Sequence, residues 1–355
     1  MHLGEVPGMA DIAERRLIRV LLLLPSLSPG GSERTIISVA NHLDRSRFDV
    51  HLATMTGTGW WTDRVAEDVS LHQLQASREI VGLWPLRQLI CRIQPDVILS
   101  AAMRLNVALQ AMRGILPSGI RFIVREGNLL SLKLLETRRP GLWRRLVSLL
   151  YPRADRIIAQ CDAMAQDLTT TAGIDPRRIV RIYNPVDVAS IDRLAGTGEN
   201  PFGRDRPGRS ILAVGSFKAQ KGFPRLLRAF AARPPWLAEA NLWILGDGEL
   251  RASLQALAAS LGIADRVHLP GIEANPFVWM RHADLFVLCS HYEGLPNALL
   301  EAIACRCPVV ALDSPGGTRE IMKVCGLPGR LVSKLDWEPC FFDTEGLNEA
   351  RSRVE

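Results

Sequence analysis

The stretch ADLFVLCSHYEGLPNALLEAIACRCPVVALD, Ala283 to Asp313, decides how this chain folds. An apolar run leads into a Gly-Pro turn, then into apolar residues at helical spacing, then into a second, valine-rich run. Parallel neighbours need a crossover, and strands buried on both faces read as continuous apolar runs, so strand, loop, helix and strand here form one unit of a parallel sheet. The spacing predicts a helix from about Asn297 to Cys305, with Pro296 at the first helical position, where a missing N–H costs nothing. Leu299, Leu300 and Ile303 are accounted for by packing. Glu293, at the crest of the turn, and Glu301, about one turn beyond Asn297, are not.

Outward from this unit the pattern repeats. IRVLLLLPS, FDVHLATM, PDVILSA, RFIVRE, ADRIIAQ and RIVRIYN are strand candidates in the first half, with helical stretches such as ERTIISVANHL between them. Gly, Pro and charge break the series before Ser210. It resumes with ILAVGSF, NLWILGD, RVHLPGI, ADLFVLCS and PVVALD. The expected fold class is α/β, with two facing Rossmann-like domains: residues 1–187, a linker at 188–209, and residues 210–355. Residues 1–16 have no apolar period and are expected to be disordered. Two such domains leave one expected place for a ligand, the cleft between the carboxyl ends of their strands.

Composition narrows the function. At 355 residues, 47% hydrophobic and 23% charged, the chain has enough apolar material for two cores and is not a disordered polymer. No apolar run reaches the roughly 18–20 residues of a membrane-crossing helix. Seven cysteines, an odd number sitting mostly in apolar runs, read as reduced thiols of a cytoplasmic protein. Only Cys305 and Cys307 form a tight pair, and no histidine cluster completes a zinc site. The net charge of +6 is concentrated: from Arg121 to Arg156, nine Lys or Arg stand against three Asp or Glu. No nucleic-acid-binding signature accompanies this charge, so nucleic acid is not an expected partner, whereas an anionic membrane surface is. Within LLSLKLLETRRPGLWRRLVSLLYPR the leucines Leu142, Leu146, Leu149 and Leu150 equally suit a helix packed on a sheet.

The remaining chemistry gathers at strand ends. The N-terminus of the helix after Glu293 offers unpaired N–H groups and partial positive charge, and a carboxylate accepts two hydrogen bonds from vicinal hydroxyls. Together these suit a nucleoside-diphosphate sugar. VGSFKAQKGF ends a strand with Ser216, Lys218 and Lys221, and lysines there neutralise a diphosphate. Gly246 in WILGDGEL and Gly31 in SPGGSER permit close backbone approach. No G-x-G-x-x-G follows the first strand and no Asp-x-Asp occurs, so neither a standard dinucleotide site nor a carboxylate-held metal is indicated.

In this order and spacing, GGSER, PDVILS, ADRIIAQCDAMAQDL, IYNPVD, VGSFKAQKGF, WILGDGEL, RVHLPGI, the stretch from Ala283 and GGTREI resemble family 4 glycosyltransferases of the GT-B fold. The resemblance runs from Arg19 to about Asp336. It implies a retaining enzyme, metal-independent and without a cofactor, that moves a sugar from a UDP- or GDP-sugar to a glycan or to a polyprenyl- or other lipid-linked acceptor, in polysaccharide, lipopolysaccharide or glycolipid synthesis. By the same resemblance Glu301 holds the ribose and Glu293 meets the sugar hydroxyls. Gly294, Leu295 and Asn297 offer backbone amides, and Lys221 binds the diphosphate with Gly31 approaching it. Ser216 stands where the family often has an arginine, and Lys218 is the substitute. No histidine occupies the family's position near the reacting sugar. VREGN lies in that region, making Arg125, Glu126 and Asn128 the acceptor or sugar candidates. The tail after Asp336 departs from the family pattern and reads as shortened. The alternatives are an epimerase or hydrolase of nucleotide sugars, and a binding protein without turnover.

Overall fold

The computed structural model describes residues 16–57, 59–76, 82–203, 208–232, 239–327 and 330–333. The expected disorder of residues 1–16 falls almost entirely, and the departure after Asp336 entirely, outside them.

In chain order the first series is β1 (Ile18–Leu24), α1 (Gly31–His42), β2 (Phe48–Thr54), β3 (Ser70–Gln73), α2 (Leu83–Ile93), β4 (Val97–Ala101), α3 (Met103–Met112), β5 (Arg121–Arg125), α4 (Leu130–Leu135), α5 (Pro140–Leu150), β6 (Arg156–Ala159), α6 (Asp162–Ala172), β7 (Ile179–Arg181) and α7 (Val188–Ala195). The second is β8 (Ser210–Val214), α8 (Phe223–Ala231), β9 (Asn241–Leu245), α9 (Arg251–Ser260), β10 (Val267–Gly271), α10 (Pro276–His282), β11 (Leu285–Leu288), α11 (Asn297–Ala304), β12 (Val309–Leu312), α12 (Thr318–Val324) and β13 (Leu331–Val332). The first sheet has the order β3-β2-β1-β4-β5-β6-β7, the second β10-β9-β8-β11-β12-β13.

Each order reverses once, between β1 and β4 and between β8 and β11. At such a reversal the loops leave in opposite directions and open a crevice at the carboxyl ends of the strands. The continuous apolar runs have their cause in two-sided burial. On one face of the first sheet Leu21, Leu23 and Ile98 pack against Leu86 and Ile90 of α2; on the other Leu22, Leu24 and Leu52 pack against Ile36 and Ile37 of α1. In the second sheet Ile211, Leu242, Ile244 and Val287 pack against Leu226, Leu227 and Phe230 of α8.

Contact density divides the chain into two units. One takes the described residues up to Arg125 with Leu149–Ile157; the other takes Glu126–Ser148 and the described residues from Ile158 onward.

Four local expectations change. Pro296 is the residue before α11 rather than its first, with extended backbone (φ −71°, ψ 101°), so the helix begins at Asn297. The edge strands β3 and β13 were not expected from the sequence. The expected linker opens with a helix, α7, whose N-terminus Asp187 caps by accepting from the Ser190 amide at 3.0 Å. Finally, packing does not account for all the leucines of α5. Val147 and Leu150 are buried, but Leu142 is 48% and Leu149 70% exposed.

Candidate functional site

Residues of the loops after β8 and β11 meet at the reversal of the second sheet. The loop after β8 is a short turn, Ala219–Lys221, held against the end of β11. The His291 amide donates to the Gln220 carbonyl at 2.8 Å, Gln220 Nε2 donates to the Tyr292 carbonyl at 3.0 Å, and the Cys289 thiol donates to the Lys221 carbonyl at 3.0 Å. Burial pushes the Cys289 thiol up to about 12, so it stays protonated and serves as this donor.

So fixed, Lys221 Nζ reaches Glu293 Oε1 at 2.6 Å, with side chains 22% and 7% exposed. Ser290 Oγ donates to the same oxygen, also at 2.6 Å. Glu293 Oε2 accepts no hydrogen bond among the described residues.

The chain beyond Glu293 is locked from behind by the GGTREI segment. The Glu293 amide donates to the Pro315 carbonyl at 3.0 Å and the Gly317 amide to the Gly294 carbonyl at 2.7 Å. Gly316 has φ +113°, and a Cβ there would stand 1.6 Å from the Glu293 carbonyl oxygen, so only glycine fits. From the other side Asn184 Nδ2 donates to the Leu295 carbonyl at 3.3 Å and to Asn297 Oδ1 at 2.6 Å. The Gly294 carbonyl also accepts from the Cys161 thiol at 3.5 Å. These bonds consume the carbonyls of Gly294 and Leu295 and leave the amides of the same two residues. Gly294 and Leu295 are buried, yet neither N–H donates to an acceptor among the described residues. Buried backbone N–H groups are nearly always paired. Two successive open ones beside a Lys–Glu pair make a nest for an oxygen-rich ligand.

Of the residues chosen from the sequence, Lys221, Glu293, Gly294, Leu295 and Asn297 therefore come together. Glu301 is buried on α11. Lys218 is exposed at the start of its turn, and its amide donates to the Ser216 carbonyl at 2.8 Å. Gly246 closes β9, its amide donating to the Gly271 carbonyl at 2.7 Å. Glu126 is buried and its carbonyl accepts from Gln160 Nε2; Asn128 Oδ1 accepts from the Leu129 amide at 2.9 Å. Gly31 and Arg125 belong to the first unit. Gly31 is the first residue of α1, and buried Arg125 donates through Nη1 to its neighbour Ser32 at 3.1 Å.

Sequence reasoning missed Ser290, Gln220 and Asn184. Asn184 lies inside the quoted IYNPVD, so the motif was visible although its role was not. Among the described residues no group of His, Cys, Asp and Glu is arranged to hold a metal ion.

Residues 29–190 match the family described as Glycosyltransferase Family 4, and residues 199–338 the family described as Glycosyl transferases group 1. Among curated relatives, the N-acetylgalactosamine-N,N'-diacetylbacillosaminyl-diphospho-undecaprenol 4-alpha-N-acetylgalactosaminyltransferase of Campylobacter jejuni is 29% identical over 317 residues, 84% of this chain and 82% of that protein. The lipopolysaccharide core biosynthesis glycosyltransferase LpsE of Rhizobium meliloti is 27% identical over 294 residues, 81% of this chain and 77% of its own length. Among solved structures, HepE of Anabaena in complex with UDP-glucose superposes with a TM-score of 0.75 at 21% identity, covering 95% of this chain and 90% of that one.

Proposed function

The chain belongs to the glycosyltransferases that join a Family 4 domain to a group 1 domain, and we propose that it is a retaining, metal-independent hexosyltransferase using a UDP- or GDP-sugar. The observation that carries this reading is the cluster at the second sheet's reversal: one cation, one carboxylate with an open oxygen, and two open amides. A nucleotide sugar matches it group for group. The diphosphate takes Lys221 and the amides of Gly294 and Leu295, the sugar hydroxyls take Glu293, and the ribose takes Glu301.

In the reaction, the bond from the anomeric carbon to the diphosphate oxygen breaks, with its electron pair leaving on the diphosphate. The acceptor hydroxyl oxygen bonds to that carbon on the face the diphosphate vacates, so configuration is retained. The hydroxyl proton passes to the departing diphosphate. Lys221 and the amides act by stabilising charge where it develops on the leaving group.

The acceptor is a glycan or a polyprenyl- or other lipid-linked saccharide of polysaccharide, lipopolysaccharide or glycolipid synthesis. The relatives' names support this class. We place the enzyme in the cytoplasm, on the inner membrane face. No described helix is long and apolar enough to cross a membrane. The exposed Leu142 and Leu149 share one side of α5, seven residues apart, flanked by Arg145. Such a stripe suits the headgroup boundary of an anionic bilayer. Flotation with phosphatidylglycerol liposomes tests it: binding should fall with salt and with Leu142→Ser plus Leu149→Ser, and absence of binding at low salt would leave only a soluble acceptor.

For the donor, calorimetry with a panel of UDP- and GDP-sugars is decisive. One donor should bind, and Lys221→Ala should weaken it tenfold or more, since a charge-assisted hydrogen bond is worth about 1.5–3 kcal/mol. Absence of binding by the folded protein, or indifference to Lys221→Ala, would overturn the reading.

A further inference from the structure

Glu136 and Tyr292 are absorbed by no step above, although Tyr292 immediately precedes Glu293. Glu136 ends α4, far from Tyr292 in sequence but within the same contact unit. The Tyr292 hydroxyl donates to Glu136 Oε1, and Lys133 Nζ holds Oε2. The environment favours this arrangement. Burial works to raise the Glu136 carboxyl, but the bonds from Lys133 and Tyr292 and the nearby charges of Lys133 and Lys218 outweigh it and hold it below its usual range. Burial first, and then the Glu136 bond, push the Tyr292 phenol well above its usual range. The carboxylate therefore stays ionised and the phenol protonated, which makes a charge-assisted bond.

Glu136 thereby acts on both arms of the donor cluster. Through Tyr292 it holds the residue before Glu293, whose carbonyl is also the acceptor for Gln220 of the Lys221 turn. Its charge also acts on Lys218, at the start of that turn. We propose that Glu136 is a positioning residue for donor binding, acting through the Tyr292 hydroxyl to hold the Glu293 loop in register with Lys221. This rests on the nucleotide-sugar reading of the cluster.

The test pairs a ligand-free readout with a donor readout on Tyr292→Phe, Glu136→Gln and the double variant. Hydrogen–deuterium exchange across residues 290–297 of the ligand-free protein should quicken in each single variant, by the same amount as in the double. The affinity for the sugar nucleotide that binds the wild type should fall about tenfold in each, again without further loss in the double. Unchanged exchange would remove the tether itself. Faster exchange with donor affinity within twofold would leave a structural tether and overturn the positioning role. If the wild type binds no nucleotide sugar, the functional reading fails and this inference with it; if the wild type binds and the variants bind equally well, only this inference fails.

Discussion

Replacing Lys221 by methionine should destabilise the protein more than removing both members of its ion pair, while the doubly substituted protein still fails to bind donor. At 2.6 Å the pair's gross attraction is about 6 kcal/mol with an effective dielectric constant of about 20. Desolvation of both groups offsets most of this, which is why replacing a whole buried pair by neutral groups is often close to neutral. Lys221→Met, by contrast, leaves a carboxylate only 7% exposed with one hydroxyl, that of Ser290, to satisfy it. Losing one partner of a buried pair costs about 3–5 kcal/mol, and the partial exposure of Lys221 puts this site near the lower end. Adding Glu293→Gln removes the stranded charge, keeps the shape and still accepts from Ser290, so most of the loss should return. Urea unfolding followed by near-ultraviolet circular dichroism should give a coupling of about 2 kcal/mol in the double-mutant cycle. Nucleotide-sugar binding should stay lost in the double variant, because restoring stability does not restore the cation. Additive effects within about 0.5 kcal/mol would refute the electrostatic account, and recovered donor binding would refute the role of Lys221 in holding the diphosphate.

Gly316→Ala should unfold the Glu293 loop locally: its Cβ would lie 1.6 Å from the Glu293 carbonyl oxygen at φ +113°. A loss of roughly 2–4 kcal/mol is expected from backbone strain and displacement, and a midpoint within 0.5 kcal/mol (about the scatter of surface substitutions) of wild type would show that the loop yields cheaply. Glu320 is one source of acid sensitivity, alongside Glu136. Burial pushes the Glu320 carboxyl up, but bonds from the Tyr183 hydroxyl, the Asp162 amide at 2.9 Å and Arg181 at 2.8 Å outweigh this and bring it below 4.5. A depressed folded value means the stability is fully present above the unfolded value near 4.5 and drains away as pH falls through the lower folded one. Between pH 5 and 3 the urea midpoint of the wild type should therefore fall more steeply than that of Glu320→Gln. Parallel curves would assign the acid sensitivity elsewhere.

The parallel sheets were legible because two-sided burial writes itself into the sequence as unbroken apolar runs, and every strand with such a run was found. Of the four edge strands, β7 and β10 were found, whereas β3 and β13 escaped for the converse reason. Ser70–Gln73 is only half covered and carries Ser, His and Gln, and Leu331–Val332 is too short to show a period. On α5 the spacing shows two apolar stripes and no local rule says which one meets the protein. Val147 and Leu150 do; Leu142 and Leu149 do not. At the site, residue types were readable but partnerships were not. Lys221 and Glu293 are 72 positions apart and meet because β8 and β11 are neighbours across the reversal. Strand order is a tertiary fact, and no window of sequence contains it.

That pairing also bears on selectivity. In the ligand-free chain Lys221 and Glu293 satisfy one another, so a ligand that takes the lysine must do something for the carboxylate. A bare phosphate takes Lys221 and strands Glu293 in a buried position, which is costly. A nucleoside diphosphate without its sugar does the same. A nucleotide sugar brings the anion for the lysine and hydroxyl donors for the carboxylate in one molecule, so it can separate the pair without leaving a buried charge uncompensated. On this argument Glu293 tunes the site through the cost of its own isolation as well as through any bond it makes: it penalises every phosphate ligand that arrives without a sugar, product included. Glu293→Gln, whose isolation costs less, should therefore narrow the gap in affinity between the nucleotide sugar and the free nucleoside diphosphate, and an unchanged gap would mean that the pair does not discriminate.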